Sequence, residues 1–415
     1  MAGPRPNVRA AAAVLAVAAA AAGVSQAFGR FTFSLLFTDV RDDLGLSNTS
    51  AGTLGSANLL AYLTGTLVVS LVVGRAGLGR TARTGVAGVT AGLLLLAWAP
   101  NAAVTAVALV ITGLFAAGVW VTVPAIATAQ VGAGRRGTAI GLVGAGIGVG
   151  IVVASMLHGT ADADRWRQVY RVEAAVALVV TVAGLRLLRH GEGTGSRPGP
   201  GTGRGGGSGF AAVRAVPGWR RLLGSYGLFA VAMSLMVTFL VAVLKEDAGY
   251  RSSAASLAFS MFGVGTIAGG PLFGPLADRL GRARALHLAY AVMAGTAVVI
   301  GSGARPWATF AALAFGTAFT AVPTTVAARL SDVVAAERFG AAYGVATLAF
   351  GAGLMVGPQL GGALGDATGS FRPVFWLAAA VAIVAGLLIR PGDAPAPPGE
   401  PARRPTADTA GDGGR

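Results

Sequence analysis

Apolar spans of roughly 20 residues recur from end to end of the chain, and each has the length of a membrane-crossing helix. Short loops carrying arginine separate them. Of the 415 residues, 54% are hydrophobic and only 12% charged, where a soluble protein carries about a quarter charged residues. Most of the chain is therefore built for hydrocarbon. The pattern predicts about twelve transmembrane helices over residues 10–38, 50–73, 83–99, 102–130, 137–158, 170–188, 219–244, 253–273, 285–303, 306–329, 341–364 and 373–389. The run Ala10 to Phe37 is apolar apart from Gln26 and Arg30. It exceeds the roughly 7–15 residues of a signal-peptide core, so it reads as an uncleaved first span.

Arginine placement orients these spans. With the N-terminus inside, about 23 basic residues fall on the cytoplasmic side and about 8 on the other, with Arg30 inside a span. Both termini are then expected in the cytoplasm, and the chain in the plasma (bacterial inner) membrane. The formal charge is +15, yet it is spread over loops rather than gathered on one basic face, so no nucleic-acid partner is expected. With no cysteine, disulfides, thiolate nucleophiles and Cys-ligated metals are excluded. The histidines His158, His190 and His287 have no paired metal-ligand spacing, and no phosphate-binding loop follows a strand. No cofactor, metal or enzymatic activity is expected.

Four regions are predicted: a six-helix unit over 1–189, a flexible Gly/Pro/Arg-rich cytoplasmic linker over 190–217, a second six-helix unit over 218–390, and a disordered cytoplasmic tail over 391–415. The two units look like repeats. Ser70-x-x-x-Gly74-Arg75-x-Gly77-x-x-Arg80 aligns with Gly274-x-x-x-Asp278-Arg279-x-Gly281-x-x-Arg284. Pro124 aligns with Pro323, and Gly137 and Gly141 with Gly340 and Gly344, all at offsets of about 200 residues.

The second of these stretches, with Arg282 between Gly281 and Arg284, packs one acid and three arginines into a glycine-bounded turn. Asp278 is placed to accept backbone N–H groups at a helix start. The pattern G-x-x-x-D-R-x-G-R-x-R resembles the loop between helices 2 and 3, repeated between helices 8 and 9, of the major facilitator superfamily (MFS). That resemblance implies an all-α membrane protein of the MFS fold, with two six-helix bundles rocking about a central site. In the superfamily the acid helps hold a cytoplasmic gate; Gly74 stands at its place in the first half, so only the second half could make that contact. The eleventh span carries Gly353-x-x-x-Gly357-Pro358-x-x-Gly361-Gly362, resembling a pattern that exporters of the superfamily carry in the fifth helix. Here the fifth has Val149 where proline would stand. The segment Phe28-Gly29-Arg30-Phe31-Thr32-Phe33, with Asp42-Asp43-Leu44-Gly45 and Gly52-Thr53-Leu54-Gly55, is similar to the YbfB/YjiJ-type branch.

Arg30 is the most informative single residue. A charge within a span costs about 2.5–3.5 kcal/mol on insertion scales. Gln26, Arg30, Phe33 and Phe37 follow one helical face, and a guanidinium binds a carboxylate through a two-pronged fork. Arg30 either faces a cavity or snorkels outward to Asp39 or a lipid headgroup. By the MFS plan, Trp120, Tyr226, Met233, Phe319 and Thr320 are further cavity candidates, and Asn58 and Tyr62 share a face that approaches the same space. Asp39, Glu173 and Asp366 fall near span ends. A coupled proton remains open, with Asp39 the best-placed carboxylate.

The reading is a secondary active or facilitative transporter, expected as a monomer, that moves a small organic solute, possible anions included, by alternating access. Its rivals are a drug or metabolite efflux antiporter and a transport-dead membrane sensor. The topology has a direct test, because the native chain lacks cysteine. A membrane-impermeant thiol reagent on intact cells is expected to label Ser252→Cys and spare Ser208→Cys. The reverse pattern would sink the orientation.

Overall fold

The computed structural model describes residues 8–131, 135–160, 166–188, 211–214 and 216–390; most of the expected linker and all of the expected tail lie outside the described residues. Among the described residues, regular structure is helical, and ten helices are long and apolar enough to cross a membrane. Hydrocarbon offers no water to backbone N–H and C=O groups, and a helix satisfies them within its own segment.

The first part of the chain forms α1 (Val8–Ala22), a π-helical stretch (Gly23–Phe31), α2 (Thr32–Leu35) and α3 (Phe37–Asp43). Next come α4 (Asn48–Ala76), α5 (Leu78–Ala97), α6 (Ala102–Ala129), α7 (Arg136–Thr160) and α8 (Trp166–Leu187). The second part forms α9 (Trp219–Ala242), a π-helical stretch (Val243–Asp247), α10 (Ser252–Leu280), α11 (Arg282–Ser302), α12 (Trp307–Ser331), α13 (Ala336–Thr368) and α14 (Arg372–Leu387). The expected first helix thus changes winding around Arg30. Two helix starts carry a side-chain cap: Ser47 accepts from Ser50 N–H and Asn101 from Val104 N–H. Several helices outrun the expected spans by a turn or more, Ser252–Leu280 and Ala336–Thr368 among them.

The internal repeat is visible in the backbone. Gly77 ends α4 at φ 84°, ψ 154°, and Gly281 ends α10 at φ 84°, ψ 149°. An L side chain rarely adopts this region, so both positions call for glycine. Each turn folds the next helix back beside the last.

Packing divides along the sequence. α5 lies against α6 and α8, and α4 against α6; α12 lies against α10 and α11, and α9 against α13 and α14. Two seams join the first part to the second, α7 on α10 and α4 on α13. Both are backbone-close. A Cβ on Gly148 would run into the Gly263 carbonyl, and one on Gly52 into the Pro358 carbonyl. The glycine motif of α13 serves two neighbours: Gly353, Gly357 and Gly361 press on Gly227, Ser234 and Phe239 of α9, while Gly362 presses on the Asn48 carbonyl of α4. Small residues let helices approach this closely where no hydrophobic force drives them together.

These contacts differ in tolerance. Gly316 of α12 abuts the Phe262 carbonyl and Gly265 of α10, whereas Gly144 of α7 has open space around it. Gly316→Val is expected to cost about 1–3 kcal/mol by overpacking, read as a lower midpoint in thermal unfolding of the detergent-purified protein. Gly144→Ala should leave the midpoint unchanged. Equal effects at both would contradict the packing.

Candidate functional site

The winding of the first span decides where its polar groups point. Arg30 lies near the end of the π-helical stretch and inside the span Arg9–Leu35. Its guanidinium donates to Gln26 Oε1 at 2.9 Å and sits 4.3 Å from the Tyr62 ring centroid and 5.7 Å from that of Phe31. Gln26 is anchored in turn by donating to the Ala116 carbonyl at 3.4 Å. The Nε of Arg30 is buried without a hydrogen-bond partner, and no described carboxylate pairs with the group. The outward route to Asp39 is not taken. Asp39 is engaged elsewhere, and Arg30 turns toward an amide and a ring face, each of which stabilises a cation without neutralising it.

Asn58 holds this geometry in place. It is buried, and its amide nitrogen faces the Gly29 carbonyl (3.1 Å), the Leu109 carbonyl (2.7 Å) and Thr112 Oγ1 (3.0 Å). One side chain of α4 therefore ties the π-helical stretch to α6. A narrow cavity opens beside Arg30, lined from the first part by Phe33, Ser34, Gly55, Asn58 and Leu59, and from the second by Met233, Ser234, Val237, Thr238, Leu354 and Pro358. It lies at the meeting of the two parts. Of the candidates read from sequence, Arg30, Phe33 and Met233 line it, and Gln26 stands behind Arg30. Tyr226 is instead stacked on Phe350 and Phe229, and Phe319 meets Phe31 and Phe262 edge to face. Thr320 donates within its own helix to the Thr317 carbonyl, and Trp120 is 40% exposed on α6. These four do not line the cavity.

Polar contacts between the two parts gather at the end where α3 and the second π-helical stretch lie. Lys245 Nζ donates to Asp39 Oδ1 at 2.6 Å, and Arg41 pairs with Glu246 at 2.7 Å. His158 lies 2.6 Å from Asp39 Oδ2 through Nε2 and 2.7 Å from Ser256 Oγ through Nδ1. Asp366 of α13 accepts from the Asn48 and Thr49 N–H groups at the start of α4, where the helix dipole favours a negative charge. Asp39 lies just beyond the first span. Burial works against its charge, but the hydrogen bonds and charges of His158 and Lys245 outweigh this and hold its pKa below the ordinary aspartate value. Glu173, expected near a span end, lies inside α8. Glu173 is fully buried on α8 and accepts from Thr32 Oγ1 at 2.6 Å.

The motif turns sit at the opposite end. Arg75, Arg80, Arg279 and Arg284 are exposed there. Asp278 belongs to the last turn of α10, not to a helix start, and among the described residues it accepts no backbone N–H. Its partner is Arg282 at 2.6 Å, which also reaches Asp332 at 3.2 Å. The acid faces the unfavourable end of its helix dipole, and Arg282 one turn on offsets this. Both partners lie in the second part of the chain, so this triad does not bridge the parts.

The family model described as "uncharacterised MFS-type transporter YbfB" matches residues 22–390. The chain belongs to this family. It is a multi-pass membrane protein of a transporter family, and its relatives and structural neighbours are transporters rather than enzymes. A probable transporter of Streptomyces coelicolor is 29% identical over 272 residues, covering 60% of each chain. Monocarboxylate transporter 3 of Rattus norvegicus is 31% identical over 169 residues, covering 39% of this chain and 34% of the relative. The matched regions thus span less than two thirds of these relatives. The crystal structure of the nucleoside transporter NupG superposes with a TM-score of 0.73 at 12% identity, over 92% of this chain and 98% of that one. That likeness concerns the fold.

Asn58 gives the site a structural test. Asn58→Leu keeps the volume and removes the donor, leaving the Gly29 and Leu109 carbonyls to lose their partner. A loss of about 1–3 kcal/mol in stability is expected, measured by thermal unfolding. An unchanged midpoint would mean the amide does not hold the π-helical stretch.

Proposed function

We propose that this YbfB-type protein is a secondary carrier for a small organic anion, with Arg30 as the anion-binding group. The observation that carries the reading is a guanidinium inside an apolar span, aimed at a cavity between two halves, with an amide and a ring for company and its Nε unpartnered. Such a charge is costly in hydrocarbon and marks a substrate path by default. In a low-dielectric cavity it attracts an anion more strongly than it would in water. The narrow, mostly apolar lining favours a short carboxylate with an apolar body. The partial match to a protein named as a monocarboxylate transporter points the same way.

The architecture in this reading is the MFS plan. The ten long spans, with α5 and the shorter α14, make about twelve crossings in two six-helix units, 1–189 and 218–390, joined by the cytoplasmic linker 190–217 and followed by the tail 391–415. The protein is a monomer in the plasma membrane with both termini inside. The Asp39 end is then the outer end, closed by contacts between the halves, and substrate moves as the halves rock about the Arg30 cavity. Gly77 and Gly281 turn the helices at the inner end, where Asp278 steadies the second half through Arg282.

The test is a thermal-stabilisation screen of short carboxylates against their neutral amides, followed by uptake of the best solute into proteoliposomes. Carboxylates are expected to stabilise the wild type, and amides are not. Arg30→Gln should weaken binding about ten- to a hundredfold, the value of a charge-assisted hydrogen-bonded pair, at matched folded protein. Arg30→Lys should fall between, since an ammonium lacks the fork. A neutral or cationic best solute, or full carboxylate uptake by Arg30→Gln, would remove Arg30 from the site.

A further inference from the structure

A buried hydroxyl in a helix usually donates to the carbonyl one turn back, which spares it burial without a partner. Thr122, Ser155 and Thr325 all do so. Among the described residues, Ser34, Thr238 and Ser260 are the buried serines and threonines that make no hydrogen bond. Two of them, Ser34 and Thr238, line the cavity beside Arg30, and they are 8% and 5% exposed. Ser34 belongs to α2 and Thr238 to α9, which pack together, so one hydroxyl comes from each part of the chain. They stand as far apart in the sequence as Gly77 and Gly281 and thus occupy one position of the repeat. Burying one hydroxyl unpaired is unfavourable. Two at equivalent places on the same cavity leave hydrogen bonds for whatever the cavity holds.

We propose that Ser34 and Thr238 are a second recognition point for the solute, and that the solute carries a hydroxyl group about a helical turn away from its carboxylate. The proposal deepens the carboxylate reading and rests on it. The spacing follows from the first span. Ser34 lies one turn beyond Arg30, while the guanidinium leans the opposite way, to Gln26. A carboxylate at Arg30 and a group at Ser34 are then at least about 5 Å apart. A 2-hydroxy acid holds its hydroxyl against its own carboxylate and falls short of that. A hydroxyl on the fourth carbon, as in 4-hydroxybutyrate, reaches it. The guest hydroxyl accepts from one host hydroxyl and donates to the other, which a methyl group cannot do.

The rest of the lining fits a neutral second group. Of the described residues around the cavity, Arg30 alone is charged, so neither a second carboxylate nor an ammonium finds a counter-charge there. The neighbouring polar groups are engaged. Ser234 gives its hydrogen to the Val231 carbonyl at 3.0 Å, and the Asn58 amide nitrogen serves Gly29, Leu109 and Thr112. The hydrogens of Ser34 and Thr238 are the ones left to offer.

The experiment compares butyrate, 2-hydroxybutyrate and 4-hydroxybutyrate by the concentration at which each stabilises the detergent-purified protein against heat. 4-Hydroxybutyrate is expected to bind about tenfold more tightly than butyrate, the value of one or two added hydrogen bonds. 2-Hydroxybutyrate should bind no more tightly than butyrate. In variants the readout is the ratio of the affinities for 4-hydroxybutyrate and butyrate, which a general loss of folded protein does not move. Ser34→Ala and Thr238→Val should each bring this ratio down towards parity. Ser260→Ala, which removes the unpaired hydroxyl outside the cavity, should keep the wild-type ratio. The premise has a solute-free check: removing a hydroxyl that has no partner should leave the thermal midpoints of Ser34→Ala and Thr238→Val at or above that of the wild type. Lower midpoints in both would reveal structural partners and overturn the proposal. So would a preference for the 2-hydroxy acid, or a ratio unmoved by either variant. Equal affinities for butyrate and 4-hydroxybutyrate that still depend on Arg30 would sink this proposal alone, whereas no binding of any carboxylate would sink the carboxylate reading with it.

Discussion

Hydrocarbon cannot solvate what a chain leaves unpaired, and the arrangement of this protein follows from that limit. Helices answer it for the backbone. Near where the first span returns from π to α winding, the Gly29 carbonyl is met by Asn58, a side chain from another helix. The same limit explains the company of Arg30. A cation–π contact contributes about 0.5–2 kcal/mol and a hydrogen bond to a charged group about 1.5–3 kcal/mol. Tyr62 and Gln26 together therefore offset much of the cost of placing the cation in a span. They do so without a carboxylate, so the charge survives to act on something else.

The seams between the halves show a second use of the same physics. In the apolar middle they are close backbone contacts at glycine, Gly148 with Gly263 and Gly52 with Pro358. Side chains fill the notches beside them, Ile267 over Gly148 and Ile151 over Gly263. At one end they are ionic and short, Lys245 to Asp39 and Arg41 to Glu246. A bridge buried on one side is strong while intact and costly once a partner is lost.

Much of this was legible in the chain because it is local or periodic. Span lengths announce helices, a glycine at matching places in two repeats announces a turn, and an i, i+4 spacing puts Gln26 beside Arg30. Asn58 and Tyr62 were readable as one face of a helix for the same reason. What was hidden is what sequence distance hides. His158 meets Asp39 across 119 positions and Lys245 meets it across 206, and no periodicity links them. Glu173 read as a span-end acid because hydropathy reports nothing of which neighbour covers a residue. Asp278 read as a cap, since an acid beside glycine fits either end of a helix; only the backbone shows that α10 ends after it. Tyr226, Phe319 and Thr320 sit on helices that converge on the centre, yet rotation about each helix axis turns them into packing rather than into the cavity.

The repeat, extended through the structure, separates scaffold from chemistry. At the Gly77-to-Gly281 offset of about 204 residues, Phe33 and Ser34 correspond to Val237 and Thr238, and all four line the cavity. Asp43, paired with Arg167, corresponds to Asp247, whose carboxylate accepts the Phe371 N–H and whose carbonyl meets Arg372. These positions keep shape in both halves. The departures are few and chemical. Arg30 corresponds to Ser234, so the cavity has a cation on one wall and a hydroxyl on the other. Asp39 corresponds to Val243 and His158 to Gly362, and Ser256 corresponds to Gly52. At these positions the α7–α10 seam carries the His158–Ser256 hydrogen bond, where the α4–α13 seam carries glycine pressed on backbone. The repeat thus keeps shape while single positions change chemistry.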